Sequence, residues 1–329
     1  MRKLLVLPII LLATPALANE MSLTDAMANV RKNCSGISEK LNDIKKMAGV
    51  GTAVAAVGTA VGGGAAATGI IKSKTDKLSA ELQQAIDKYT KDKGQPNNID
   101  HVEIHNLTTR LAMALNDEDK KYKLKNHTPS DKSLQHSNEN IEYMKEQKDA
   151  LDEKSKKLGD ARTGLMATAT AANIAGAVIS GTNKIDDDFA TQIGACLGSV
   201  QLLSNTKIQA SLNGSATSEE IAQADKIVSA CNKYNITDVE KINNRATGAT
   251  VASGIGAATG LAGTITSGVA NTDQTRKNAE KAKNLNTASN VLAGVTTAAS
   301  LTSTVFNATQ ISAAKRVIET AEQCEEALK

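Results

Sequence analysis

Residues 47–71 read MAGVGTAVAAVGTAVGGGAAATGII, 25 positions without one charged side chain. Gly, Ala and Thr dominate, and larger apolar residues are scattered: Val50, Val54, Val57, Val61, Ile70 and Ile71. No Pro interrupts the run, and Ala-rich sequence favours helix over strand. Small residues recur at every fourth position, at Gly51, Ala55, Thr59, Gly63 and Ala67. Residues four apart share one helix face, so the stripe forms a smooth groove into which a second helix can settle.

Three further uncharged runs follow, at 163–183, 246–272 and 284–314. Their stripes are Gly164, Thr168, Ala172, Gly176 and Ser180; Gly248, Ala252, Gly256, Gly260, Thr264 and Gly268; and Thr296, Ser300, Thr304, Ala308 and Ser312. The third stripe, richest in Gly, is the candidate helix-packing surface. Amphipathic helices flank the runs. Leu23, Met27, Val30, Cys34, Ile37, Leu41, Ile44 and Ala48 alternate by three and four, a heptad seam. Met144, Leu151, Leu158 and Leu165 fall seven apart, while Lys148, Ser155 and Arg162 occupy much of the companion row. Capping boxes at Thr217 with Glu220 and Thr237 with Glu240 predict helix starts, and Asn213-Gly214 predicts a turn.

The expected fold is all-α: elongated antiparallel helical hairpins with heptad seams and small-residue stripes, tied by disulfides. Each half reads Cys, uncharged helix, connection, uncharged helix, Cys. Lys157 to Leu165 resembles Asn284 to Leu292 at a constant offset, which marks an internal duplication. The expected division is 1–18 as a signal peptide, 19–211 as the first hairpin and 212–329 as the second. Residues 72–140 form an inserted helical module in the first. Within it, Leu78, Leu82, Ala85 and Tyr89 predict one helix, Leu107, Leu111 and Leu115 another, and 116–138 a polar loop.

The signal-peptide reading rests on Arg2 and Lys3, the apolar run Leu4 to Leu12 and the small-x-small site Ala16-Leu17-Ala18. Four cysteines in an exported chain predict disulfides. Each half folded as a hairpin shares one centre between its cysteines and its uncharged runs, which favours Cys34–Cys196 and Cys231–Cys324. The rival, Cys196–Cys231 with Cys34–Cys324, stays open, because its inner pair centres near the Asn213-Gly214 turn. Zinc-site spacing is absent among the cysteines.

A net charge of +3 leaves no basic footprint for nucleic acid, and six aromatics cannot build a base-stacking surface. Gly64 to Gly69 imitates a phosphate loop, but Ile70 and Ile71 separate the last Gly from Lys72. Gly254, Gly256 and Gly260 lack the dinucleotide spacing. His101 and His105, four apart, read as solvated surface residues. No catalytic, cofactor or metal residue is assigned, and neither nucleic acid nor nucleotide is an expected partner.

The expected role is therefore non-catalytic: structural or interaction work in the cell envelope or outside the cell, with a protein partner or self-association. The alternative is a membrane-active protein whose uncharged hairpins insert into a bilayer. Six strongly apolar residues in 47–71 supply roughly 2–4 kcal/mol of insertion energy, which its Gly and Thr offset. The composition favours a water-soluble bundle.

Overall fold

The computed structural model describes residues 21–91, 134–234, 236–276 and 278–329. Among them lie eight helices and no strand: α1 (Leu23–Cys34), α2 (Ile37–Lys91), α3 (Leu134–Thr182), α4 (Asp187–Asn213), α5 (Ser218–Cys231), α6 (Ile236–Ala270), α7 (Asp273–Arg276) and α8 (Ala279–Ala327). The fold is all-α. The signal segment 1–18, the row Leu107 to Leu115, and His101 and His105 lie outside the described residues.

Local chemistry sets the helix ends. Ser22 caps α1 by accepting from the Asp25 N–H, and Asp186 caps α4 by accepting from Phe189. Gly36, at φ +77°, turns the chain between α1 and α2, where a side chain would be strained. Gly214 ends α4 in the left-handed region at φ +63°. The Thr217–Glu220 box closes in both directions at the start of α5. The Thr237–Glu240 pair instead falls inside the first turn of a helix already begun at Ile236.

The contacts divide into two compact units, each drawing on both halves of the sequence. Unit 1 comprises Met1–Ala53, Val178–Thr250 and Thr304–Lys329; unit 2 comprises Val54–Ala177 and Val251–Ser303.

Unit 1 has an ordinary apolar core. Val30, Ile37 and Leu41 meet Phe189, Ile193, Leu203, Ile227, Ile242 and Ile318 there, all buried. Polar ties reinforce its rim. Asn243 accepts from the Ile185 N–H at 2.7 Å and donates to its carbonyl at 3.2 Å. The Glu325 carboxylate takes both the N–H and the hydroxyl of Ser38. Arg31 donates through Nε to the Leu328 carbonyl at 2.8 Å.

Unit 2 begins conventionally at the distal ends of α2 and α3. Leu78, Leu82 and Ile86 pack against Ile141, Met144 and Leu151. The described parts of the segment 72–140 are thus continuations of α2 and α3. Residues 134–138, expected in a loop, are helical in α3. Polar side chains do not stop a helix. No Pro or Gly occurs between Pro129 and Gly159 to do so.

Candidate functional site

Along the uncharged segments of unit 2 the inward positions step alternately by three and four. They are Ala55, Gly58, Gly62, Ala65 and Gly69 on α2, and Met166, Ala169, Asn173 and Gly176 on α3. On α6 they are Ser253, Gly256, Gly260, Gly263 and Ser267, and on α8 Ser289, Ala293, Thr296, Ser300 and Ser303. The repeat is the one begun by Leu23 to Ala48, with small and polar residues in place of Leu.

The backbones approach closely enough to leave no room for a side chain. A Cβ at Gly260 would stand 2.5 Å from Thr170 Oγ1, and one at Gly256 2.7 Å from Asn173 Oδ1. At Gly62 it would meet Thr297 Oγ1 at 2.9 Å, and at Gly58 Ser300 Oγ at 3.1 Å.

Of the expected stripe, Gly248 packs against the Phe306 ring, Ala252 is buried, and Gly256 and Gly260 make the contacts above. Thr264 is half-buried and donates back to the Gly260 carbonyl at 2.8 Å. Gly268 has no neighbouring side chain where its Cβ would be. Four residues advance about 400° around a helix, so a strict four-step drifts off the contact face. Gly263 and Ser267 take over.

The interior that results is polar. Ser300 donates to Asn173 Oδ1 at 2.9 Å, and Ser253 and Ser303 share a hydrogen bond of 2.7 Å. Thr259 meets Thr296 at 3.0 Å, and Thr163 donates to Ser267 at 3.0 Å. Met166 is the one large apolar side chain among the buried residues of these segments.

Most of the large aliphatic residues point the other way, although Leu165 packs against Met166. Val57, Ile70 and Ile71 on α2, Ile174 on α3, Val251, Ile255, Leu261, Ile265 and Val269 on α6, and Val291, Val295 and Leu301 on α8 are exposed. All four helices carry them. Beyond the uncharged segments the polarity reverts, with Leu78, Leu82, Met144 and Leu151 inside and charges outside.

A polar layer closes the end of the inverted zone. Lys72 is buried and pairs with Asp76 at 2.7 Å, and Asp76 also accepts from Ser155 and from Asn286. Asp152 takes Ser79 at 2.6 Å and Lys148 at 2.7 Å. In the row Lys148, Ser155 and Arg162, which breaks the heptad, Ser155 and Arg162 are buried and Lys148 is half-buried.

Comparison of the chain with protein-family models, curated proteins and solved structures found no match.

In unit 1 the structure bonds Cys34 to Cys196 and Cys231 to Cys324, with Cα separations of 4.8 and 4.5 Å. All four cysteines are fully buried. The sulfurs of Cys34, Cys196 and Cys324 lie within 4.8 Å of one another. With every sulfur in a disulfide, the cluster offers no thiolate to a metal. The Gly64–Gly69 and Gly254–Gly260 runs lie within α2 and α6, away from any helix N-terminus that could cradle a phosphate.

Which way the small polar and the large aliphatic residues face was not read from sequence, although Val57, Ile70 and Ile71 were noted as apolar and Thr296 and Ser300 as part of a stripe. Extending the three-and-four seam past Ala48 would have found it, because it places Gly58, Gly62 and Gly69 inside and Val57, Ile70 and Ile71 outside.

Proposed function

We propose that the protein is an exported, non-catalytic component of the cell envelope whose uncharged helical segments sit in a lipid bilayer. One observation carries the reading: within unit 2 the uncharged segments are inside-out. In water, each of these half-exposed Val, Leu and Ile side chains forfeits roughly half of the about 1.5–3 kcal/mol that full burial returns. A hydrocarbon surround removes that cost. Small and hydroxyl-bearing residues at the helix contacts are what close packing and interhelical hydrogen bonding in lipid require.

Length supports it. The runs of 21–31 uncharged residues reach about 30–45 Å at 1.5 Å per residue, against a hydrocarbon core of about 30 Å. α2, α3 and α8 each contain a segment long and apolar enough to cross a membrane. α6 is not among them, yet it carries the most exposed aliphatic residues. Since these occur on all four helices, a surrounding phase fits better than one docked partner.

Topology agrees. Each half has two uncharged runs between its cysteines, so two crossings return the chain to one side. All four cysteines then share one compartment, as two disulfides in an exported protein require. Flotation with phosphatidylethanolamine–phosphatidylglycerol vesicles, followed by an alkaline carbonate wash, tests the reading. Protein that floats and stays with the lipid is expected. Protein that remains at the bottom, or that carbonate releases, overturns it.

A further inference from the structure

We propose that the two disulfides form one thiol–disulfide exchange site, in which Cys324, when free, attacks the Cys34–Cys196 bond. The proposal is independent of the bilayer reading. It rests on the sulfurs of Cys34, Cys196 and Cys324, which α1, α4 and α8 bring within 4.8 Å of one another. Cys231 lies outside that trio and is joined to it through Cys324.

The step balances without an oxidant. The Cys324 thiolate attacks Cys34 Sγ, the Cys34–Cys324 bond forms, the Cys34–Cys196 bond breaks, and Cys196 leaves as a thiolate. Attack on Cys196 Sγ instead gives Cys196–Cys324 and frees Cys34. Cys324 is free in two circumstances. One is a nascent chain in which Cys231 has not yet been oxidised. The other is two-electron reduction of Cys231–Cys324 by an enzymatic dithiol, whose own thiols become a disulfide.

The native connectivity keeps each bond within one half of the duplicated chain. Exchange at this site converts it to a bond between halves, and attack on Cys34 gives the Cys34–Cys324 bond of the rival pairing that the cysteine spacing left open. Full burial shields the sulfurs from solvent, so exchange is slow and reads out over hours. The partner class implied is a dithiol oxidoreductase of the export compartment that returns mispaired chains to the native bonds.

The test uses the full chain with Cys231→Ser, which leaves Cys324 unpaired beside Cys34–Cys196. The protein is held at about pH 8.5, quenched, alkylated and peptide-mapped. Label spread over Cys324, Cys34 and Cys196 is expected. The comparison is Cys324→Ser, whose free thiol, Cys231, is outside the trio; exchange there should be at least about tenfold less. Label confined to Cys324, or equal scrambling in both variants, overturns the proposal. Should Cys231→Ser not fold, the wild-type chain is reduced with substoichiometric dithiothreitol and mapped. A Cys34–Cys324 or Cys196–Cys324 peptide supports the site, and the absence of both overturns it.

Discussion

Ser300 donates a hydrogen bond to Asn173 across 2.9 Å, and the two residues stand 127 positions apart. That interval is the one relating Lys157–Leu165 to Asn284–Leu292. In unit 1, Ser180 meets Asn307 and Asn183 meets Gln310 at the same interval. Within each unit, then, residues of α3 and α8 that stand 127 positions apart touch. The neighbouring contacts repeat too. Gly62 closes on Thr297 as Gly260 closes on Thr170, and Gly58 on Ser300 as Gly256 on Asn173. Each pairing joins a helix of one half to a helix of the other, so within unit 2 the halves interlock.

The interlock makes Gly260 and Gly268 unequal. Leu at Gly260 drives into Thr170, and overpacking of this kind costs about 1–3 kcal/mol. Leu at Gly268 meets open space. Thermal melts in detergent should show Gly260→Leu well below wild type and Gly268→Leu close to it. Ala at Gly256 should also destabilise, because its Cβ would lie 2.7 Å from the Asn173 amide. Equal melting temperatures for the Gly260 and Gly268 variants would remove the close approach.

Much of the fold was legible from residues whose chemistry is local. The Thr217 box, the Asp186 start and the Gly214 turn follow from single side chains and one backbone angle. The cysteine pairing was favoured through symmetry of spacing, though its rival stayed open because Cys196 and Cys231 centre near the Asn213-Gly214 turn. The direction in which the uncharged helices face was not legible. Small residues sit at so many positions in 47–71 that a four-step stripe can be drawn on several faces. Which face is buried depends on Thr170, Thr297 and Asn173, on partner helices far away in sequence. The burial of Arg162 was illegible for the same reason: its place in the companion row says nothing of burial until the opposing Gly69 is known to make room for it.

Tyr234 gives a test in alkali. Its hydroxyl is buried in unit 1 with no hydrogen-bond partner among the described residues. Desolvation first, then the nearby Glu325 carboxylate, pushes its pKa well above the ordinary phenol value. The folded state thus favours the neutral phenol. That contribution is intact below the unfolded value near pH 10 and declines as pH rises towards the folded value. Tyr234→Phe should leave neutral-pH stability unchanged or raise it by about 1 kcal/mol. It should also flatten the loss of stability above about pH 10. Denaturant melts from pH 8 to 11 decide it, and parallel curves for the two proteins would show that Tyr234 does not titrate with unfolding.

Arg162 is fully buried, and its guanidinium nitrogens have no hydrogen-bond partner among the described residues. It lies against Gly69, where a Cβ would come within 2.8 Å of its Cζ. An unpaired buried charge is costly, and even buried ion pairs can be replaced by apolar residues of similar volume at no loss or with a gain of about 1–4 kcal/mol. Arg162→Met should therefore raise the melting temperature. Arg162→Ala should gain less, because it leaves a cavity. A fall of several degrees with Met would mean that the guanidinium holds a partner essential to the layer formed by Lys72, Asp76 and Asn286.

The outward aliphatic residues discriminate between water and lipid most directly. Leu261 and Leu301 lie near the middle of their uncharged segments and are 55% and 54% exposed. If water surrounds unit 2, Asp at either position is a surface change, worth within about 0.5 kcal/mol either way. If hydrocarbon surrounds it, Asp at a helix centre costs about 2.5–3.5 kcal/mol. Leu261→Asp with Leu301→Asp should then abolish retention in the carbonate pellet. Leu212→Asp, at a residue 80% exposed in unit 1 and outside every uncharged run, should leave it unchanged. Helical content by circular dichroism separates failure to insert from failure to fold, since the interior contacts at Gly62, Thr170 and Asn173 are untouched. A double variant that stays in the membrane pellet with normal helicity would place these faces against protein or water instead.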